Sequence, residues 1–402
     1  MVDAQPNTAA GRPANKGPGP ARAPVVLQVL PALVTGGVER GTVDIAAAVA
    51  AAGWTSLVAS AGGPMVTELE RAGAEHFRLP LDTKNALRIY RNTGDLSHLI
   101  ESRGVDLVHA RSRAPAWSAL NATRRMGCHF VTTYHGTYNA QNLFKRWYNS
   151  VMARGEKVIA ISDFIAGHVA ERYRVPPDRL ATVYRGINTA IFDPERTSAE
   201  RIIQLAKAWR LPDGMPVIML PGRLTRWKGQ TVLIDALAAL RREDVRCLLV
   251  GSDRGRTGYR RELERTIESR GLASTVHIVD DCRDMPAAYM LADVVVSAST
   301  DPEAFGRVAA EAQAMGRPVV ATDHGGARET VMLGKTGWLV AAGDAAALAR
   351  AINEALALDA PARERIATAG RAHVCANFTV TKMCAETLEI YRGVLAARRP
   401  AA

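Results

Sequence analysis

The chain is poor in the residues that brace small folds or hold metals. Its five cysteines, Cys128, Cys247, Cys282, Cys375 and Cys384, are scattered among 402 residues and odd in number, with no C-x-x-C or zinc-type spacing. That excludes a disulfide scaffold or a zinc knuckle. No run approaches the roughly 20 apolar residues of a membrane-spanning helix. The opening MVDAQPNTAAGRPANKGPGPARAP lacks the apolar core of a signal peptide, so residues 1–24 read as a disordered tail on a cytoplasmic protein. Aromatic residues make up only 5%, and Lys and Arg are dispersed with no nucleic-acid motif. Nucleic acid is therefore not the expected partner, despite the excess of positive charge. No Asp-x-Asp element follows any strand-like run, and no metal or other cofactor is expected.

What is present is bulk and basicity. A length of 402 residues with 48% hydrophobic content exceeds one compact core and implies two domains. The formal charge of +11 calls for anionic partners, for which phosphorylated substrates and anionic lipid are the best fits. From VVLQVLP (25 to 31) onward, short apolar runs alternate with helix-length patterns: WTSLVAS, HFRLP, DLVHA, HFVTTYH and KVIAIS, then PVIMLPG, RCLLVGSD, TVHIVDD, DVVVSAS and PVVATD. Such alternation is the mark of βαβ units and parallel sheets. The expected division is a first Rossmann-like domain over 25–195, rejoined by a last helix over 378–397, and a second over 196–377.

The densest stretch is Ser299 to Thr330, STDPEAFGRVAAEAQAMGRPVVATDHGGARET. Phe305, Val308, Ala309 and Ala312 recur at helical spacing, which places Glu303 at or near a helix N-terminus and Glu311 about two turns on. Gly325 and Gly326 precede a second helix start, where backbone N–H groups favour an anion. A lone Glu in such a place is ordinarily a capping or surface carboxylate. The conjunction E-x-F-G with a second Glu eight residues after the first, however, resembles the signature of the family 4 retaining glycosyltransferases, and EAFGRVAAE matches it without a gap, Gly306 included.

That resemblance spans roughly residues 25–395 and implies a GT-B architecture: two Rossmann-like, doubly wound parallel-sheet domains facing a cleft. GRLTRWKG supplies Arg223 and Lys228, which the resemblance assigns to the diphosphate of a nucleotide-sugar donor in place of a metal. Gly36 and Gly37, after the first strand, match the loop facing donor and acceptor. His135, in TTYHG, matches the strand-end histidine that approaches the donor sugar, whereas His109, Arg111 and Arg113 stand at another strand end. Glu303 is assigned to sugar hydroxyls and Glu311 to the ribose. Where the family usually has P-N-G-V-D, this chain has Tyr184-Arg185-Gly186-Ile187-Asn188, so Arg185 replaces an Asn. Asp253 likewise replaces the second Gly of a G-x-G loop begun by Gly251, and 279–283 falls in the base-binding loop.

The expected activity is transfer of a hexose-type sugar, with retention, to an envelope glycan or glycolipid. HARSRAP loosely resembles lipopolysaccharide-core sugar transferases. The basic, aromatic segment Leu143 to Arg154 suits either an anionic membrane surface or an amphipathic helix docked on its own sheet. Two other functions share the architecture: a sugar-nucleotide epimerase, which needs no acceptor, and a two-domain sugar-binding protein without catalysis.

Overall fold

Runs rich in Val, Ile and Leu, too apolar to leave either face in water, settle as strands with helices on both sides. In the computed structural model, which describes residues 22–138, 142–253, 255 and 257–397, thirteen strands build two parallel sheets. The first sheet uses β1 (Val25–Val29), β2 (Thr55–Ser60), β3 (Glu75–Arg78), β4 (Leu107–Ala110), β5 (His129–Tyr134), β6 (Lys157–Ala160) and β7 (Leu180–Thr182), in the order β3-β2-β1-β4-β5-β6-β7. The second uses β8 (Val217–Pro221), β9 (Arg246–Val250), β10 (Val276–Val279), β11 (Val294–Ser297), β12 (Val319–Thr322) and β13 (Gly337–Val340), in the order β10-β9-β8-β11-β12-β13. Both are doubly wound: the order reverses beside β1 and beside β8, and ligand crevices open at such switch points.

Each sheet has its own core, one around Leu27, Val108 and Val158 and the other around Ile218, Leu249 and Val296, every one of them buried. The helix Val380–Ala396 returns to the first sheet, where Met383, Leu388 and Tyr391 pack with Ile45, Val49 and Val131. Tyr391 also hydrogen-bonds the buried His109 at 2.6 Å. Most of the expected tail lies outside the described residues; at its end, Arg22 pairs with Asp106 at 2.8 Å.

The two units touch beside the crevice. Ser162 Oγ donates to the Ala304 carbonyl at 2.5 Å, and Phe305 is buried in the first unit's core cluster. The Glu329 carboxylate accepts from the N–H groups of Asp163 and Phe164, each at 2.8 Å, at the start of the helix Asp163–Tyr173. A carboxylate is well placed at a helix N-terminus, where N–H groups lack intrahelical partners.

One expectation is corrected here. The helix carrying Glu311 begins at Arg307, not near Glu303, because Gly306 takes a left-handed conformation (φ +85°, ψ +49°) that ends the preceding loop. Glu303 therefore belongs to that loop, where its backbone and side chain can serve different partners.

Candidate functional site

In parallel sheets every strand ends at the same edge, so the candidate residues converge from separate loops. Gly36 and Gly37 follow β1, Arg111 follows β4, His135 follows β5 and Arg185 follows β7. From the second sheet, Arg223 and Lys228 follow β8, Glu303 follows β11, and Gly325 and Gly326 follow β12.

Lys228 and Glu303 meet, although 75 residues separate them. Gly229 (φ +73°) lies so close to the Ala298 carbonyl that an added Cβ would sit 1.8 Å from its oxygen. The Thr300 N–H donates to the Trp227 carbonyl at 2.7 Å. These contacts fix the turn Arg226–Lys228 against the loop after β11 and bring Lys228 Nζ to 2.7 Å from Glu303 Oε1, each side chain being 13% exposed. Ser299 Oγ donates to the same oxygen at 2.5 Å and Ser297 Oγ at 3.4 Å. Burial alone would push the Glu303 carboxyl up, but the Lys228 ammonium and the serine hydroxyls outweigh it and hold it below its ordinary value. At an effective dielectric near 20, such a pair gains on the order of 4 kcal/mol of attraction. A carboxylate engaged by three donors is a poor nucleophile and a good orienting group.

His135 faces the same space. A cavity of about 320 Å³ is lined by His135, Trp227, Pro302 and Glu303 among others. Arg185 Nη2 lies 3.2 Å from His135 Nδ1. A guanidinium only donates, so Nδ1 carries the lone pair and the proton sits on Nε2. That Nε2 is buried and has no partner among the described residues. Burial, and after it Arg185 and Arg111, lower the imidazole well below its ordinary value. His135 is thus a neutral imidazole lining this cavity, with an unpartnered N–H that could donate to a hydroxyl.

The remaining expected residues divide. Glu311 is buried, with Oε1 held by Arg307 Nε at 2.7 Å and Oε2 by the Tyr289 hydroxyl at 2.9 Å. Gly306 lets its helix start against Thr330, whose Oγ1 an added Cβ would approach to 3.0 Å. Gly36 precedes the helix Gly37–Ala51. Arg223 is exposed and enters no ion pair among the described residues, so Lys228 alone of the expected cationic clamp reaches Glu303. The expectation that both Gly325 and Gly326 offer N–H groups to an anion is corrected: the Gly326 N–H donates to the Glu303 carbonyl at 2.8 Å. A Cβ on Gly325 would lie 2.4 Å from that same oxygen, so both glycines serve the close packing of the Glu303 loop.

Arg307, Tyr289 and Glu329 were not singled out in the sequence. Arg307 directly follows the E-x-F-G element and could have been read there; the other two carry no local signal. Among the described residues no three His, Cys, Asp or Glu side chains cluster as a metal site. A larger cavity, about 650 Å³, is lined by Leu224 to Trp227 and Thr257 to Tyr259. It is bordered by the same turn but lacks the Lys–Glu–His grouping.

Comparison with known proteins decides the family. Residues 35–191 match the model "Glycosyltransferase Family 4" and residues 202–373 the model "Glycosyl transferases group 1". The crystal structure of a glycosyltransferase from Rickettsia africae is 38% identical and superposes with a TM-score of 0.87, covering 94% of this chain and 100% of that one. The chain belongs to glycosyltransferase family 4. HepE of Anabaena, in complex with UDP and glucose, is 26% identical, with a TM-score of 0.80 over 91% of this chain and 99% of that one. A D-inositol 3-phosphate glycosyltransferase of Salinispora arenicola is 33% identical over 62% of this chain. The match spans 57% of that relative's length. The fold is the GT-B fold of the family 4 glycosyltransferases. No helix among the described residues is long and apolar enough to cross a membrane.

Proposed function

We propose that this family 4 enzyme transfers a hexose from a nucleoside diphosphate sugar to an envelope glycan or glycolipid, such as a lipopolysaccharide core, with retention at the anomeric carbon. The observation that carries this reading is the half-buried Lys228–Glu303 pair, whose Glu303 shares a cavity with the neutral His135. The acceptor hydroxyl attacks the anomeric carbon from the face the leaving group departs. The bond to the diphosphate breaks with its electron pair, and a phosphate oxygen takes the acceptor's proton. Glu303 and His135 Nε2 orient sugar hydroxyls, while Lys228, with Arg223 swinging in from solvent, meets the charge growing on the diphosphate, a task a divalent ion performs in other transferases. The engagement of Glu303 by three donors supports an orienting rather than a nucleophilic role.

Attachment at the inner face of the cytoplasmic membrane belongs to the same proposal. It is supported by Leu143, Phe144 and Trp147, which are 83%, 70% and 52% exposed in a short helix that also carries Lys145 and Arg146. Apolar side chains beside basic ones suit an anionic lipid surface.

The test is nucleotide release from UDP-, GDP- and ADP-hexoses, with and without glycolipid extract and inositol phosphate as acceptors. Release that rises at least 10-fold with one acceptor is the expected result. Interconversion of the donor sugar without any acceptor would favour the epimerase instead.

A further inference from the structure

At the crevice edge of the first sheet Arg111 is buried and Arg185 is half-buried. Arg111 is 2% exposed; its Nη1 donates to Gln28 Oε1 at 3.2 Å, and its Nε has no partner among the described residues. Arg185 donates to the Gly37 carbonyl and to His135. Neither enters an ion pair among the described residues, in contrast to Lys228. The nearest acids, Asp44 and Glu39, only partly offset the field: burial raises Asp44 despite Arg40, Arg307, Arg185 and Arg111. Burial, followed by the neighbouring Arg111 and Arg307, lowers Arg185 to about 9.

The guanidinium ends converge on one place. A Cβ on Gly41 would meet Arg185 Nη1 at 2.5 Å and Arg111 Nη2 at 3.2 Å, and one on Gly37 would meet Arg185 Nη2 at 3.5 Å and Arg307 Nη1 at 3.8 Å. That place is the first turn of the 15-residue helix Gly37–Ala51, whose N–H groups and dipole add to the positive field. Like charges crowded together and only partly balanced by acids are costly, and an anion between them lowers the cost.

We propose that Arg111 and Arg185 form a seat for a phosphate-type anion carried by the acceptor, separate from the cationic turn that meets the donor diphosphate. The seat rests on the transferase reading above. Two anions can supply this chemistry, the donor's diphosphate and an acidic group of the acceptor. The acceptor is favoured because Gly37, Arg111 and Arg185 all follow strands of the first sheet, whereas Arg223 and Lys228 follow β8 of the second. Through His135, which Arg185 holds and which lines the cavity with Glu303, the seat adjoins the place of transfer. The preferred substrates are then phosphorylated or otherwise acidic glycans and glycolipids, bound with the attacking hydroxyl near His135.

The experiment titrates the full chain with inorganic phosphate, followed by phosphorus NMR and thermal unfolding, alone and with whichever of UDP, GDP or ADP binds held at saturation. Phosphate should still bind when the nucleoside diphosphate is present. Arg185→Asn should weaken phosphate at least 10-fold while changing nucleoside diphosphate affinity less than 2-fold, and Arg111→Gln should act in the same direction. Displacement of phosphate by the nucleoside diphosphate in the wild type would make this the donor's site and overturn the proposal without any variant. Equal weakening of both ligands in Arg185→Asn, or undiminished phosphate binding, would overturn it too. If no nucleoside diphosphate binds the wild type, the donor reading falls, and with it the assignment to an acceptor, even where phosphate binding persists.

Discussion

The two sides of the crevice carry positive charge in opposite ways. On the second sheet's side, Lys228 is half-buried against a carboxylate at 2.7 Å, so its charge is balanced before any ligand arrives. On the first sheet's side, the buried Arg111 and the half-buried Arg185 have no ion-pair partner among the described residues and are supported by a glutamine, a backbone carbonyl and a histidine. A balanced pair is a positioning device; an unbalanced one is stable only if something else supplies the counter-charge.

The sharpest way to break this contrast is Lys228→Ala. Turnover should fall by about 100-fold to 1,000-fold, as when a transition-state charge partner is removed. The variant also leaves Glu303 buried without its cation, at a cost of roughly 3 kcal/mol. The pH sign follows. The Glu303 value is depressed in the folded wild type, so its contribution is present above the ordinary carboxylate value and is lost as pH falls through the folded one. In Lys228→Ala only the serine hydroxyls oppose burial, and acid unfolding should begin at a higher pH, which circular dichroism against pH would detect.

A smaller effect is expected at Glu311, whose carboxylate is already balanced by Arg307. Glu311→Gln should weaken nucleoside diphosphate binding by about 10-fold, the worth of one charge-assisted hydrogen bond, as read by calorimetry. Unchanged affinity would remove Glu311 from the ribose. On the outer surface, replacing Leu143 and Phe144 together by Ser should lower partition onto anionic vesicles by several-fold while leaving turnover on a soluble acceptor intact. The smallest expected effect is that of excess EDTA: less than 2-fold on turnover if Lys228 and Arg223 perform the work of a metal, and complete loss if they do not.

Most of the architecture is legible in the sequence because buried parallel strands are short, apolar and bounded by turns. β7 and β13 escape that pattern: LAT is three residues long and only half-buried, and GWLV carries a glycine and a half-exposed tryptophan. The helical spacing through Glu303 misleads for a different reason. Periodicity does not register that Gly306 has entered the left-handed region, which moves Glu303 from helix to loop. The Lys228–Glu303 contact depends on Gly229 fitting against Ala298, a long-range approach with no local mark. Arg185 stands out as a departure from the usual P-N-G-V-D pattern, but its place beside Arg111 emerges only when β4 and β7 end at one edge.

The most direct measurement of the central claim is a double-mutant cycle on turnover with Lys228→Met and Glu303→Gln, using the donor that supports release. If the two side chains act as one unit at the place of transfer, each single variant should cost about 100-fold and the double variant no more than a few-fold beyond the worse single. Losses that multiply in full would mean that the pair seen in the structure does not act as a unit, and the account of this site would be wrong.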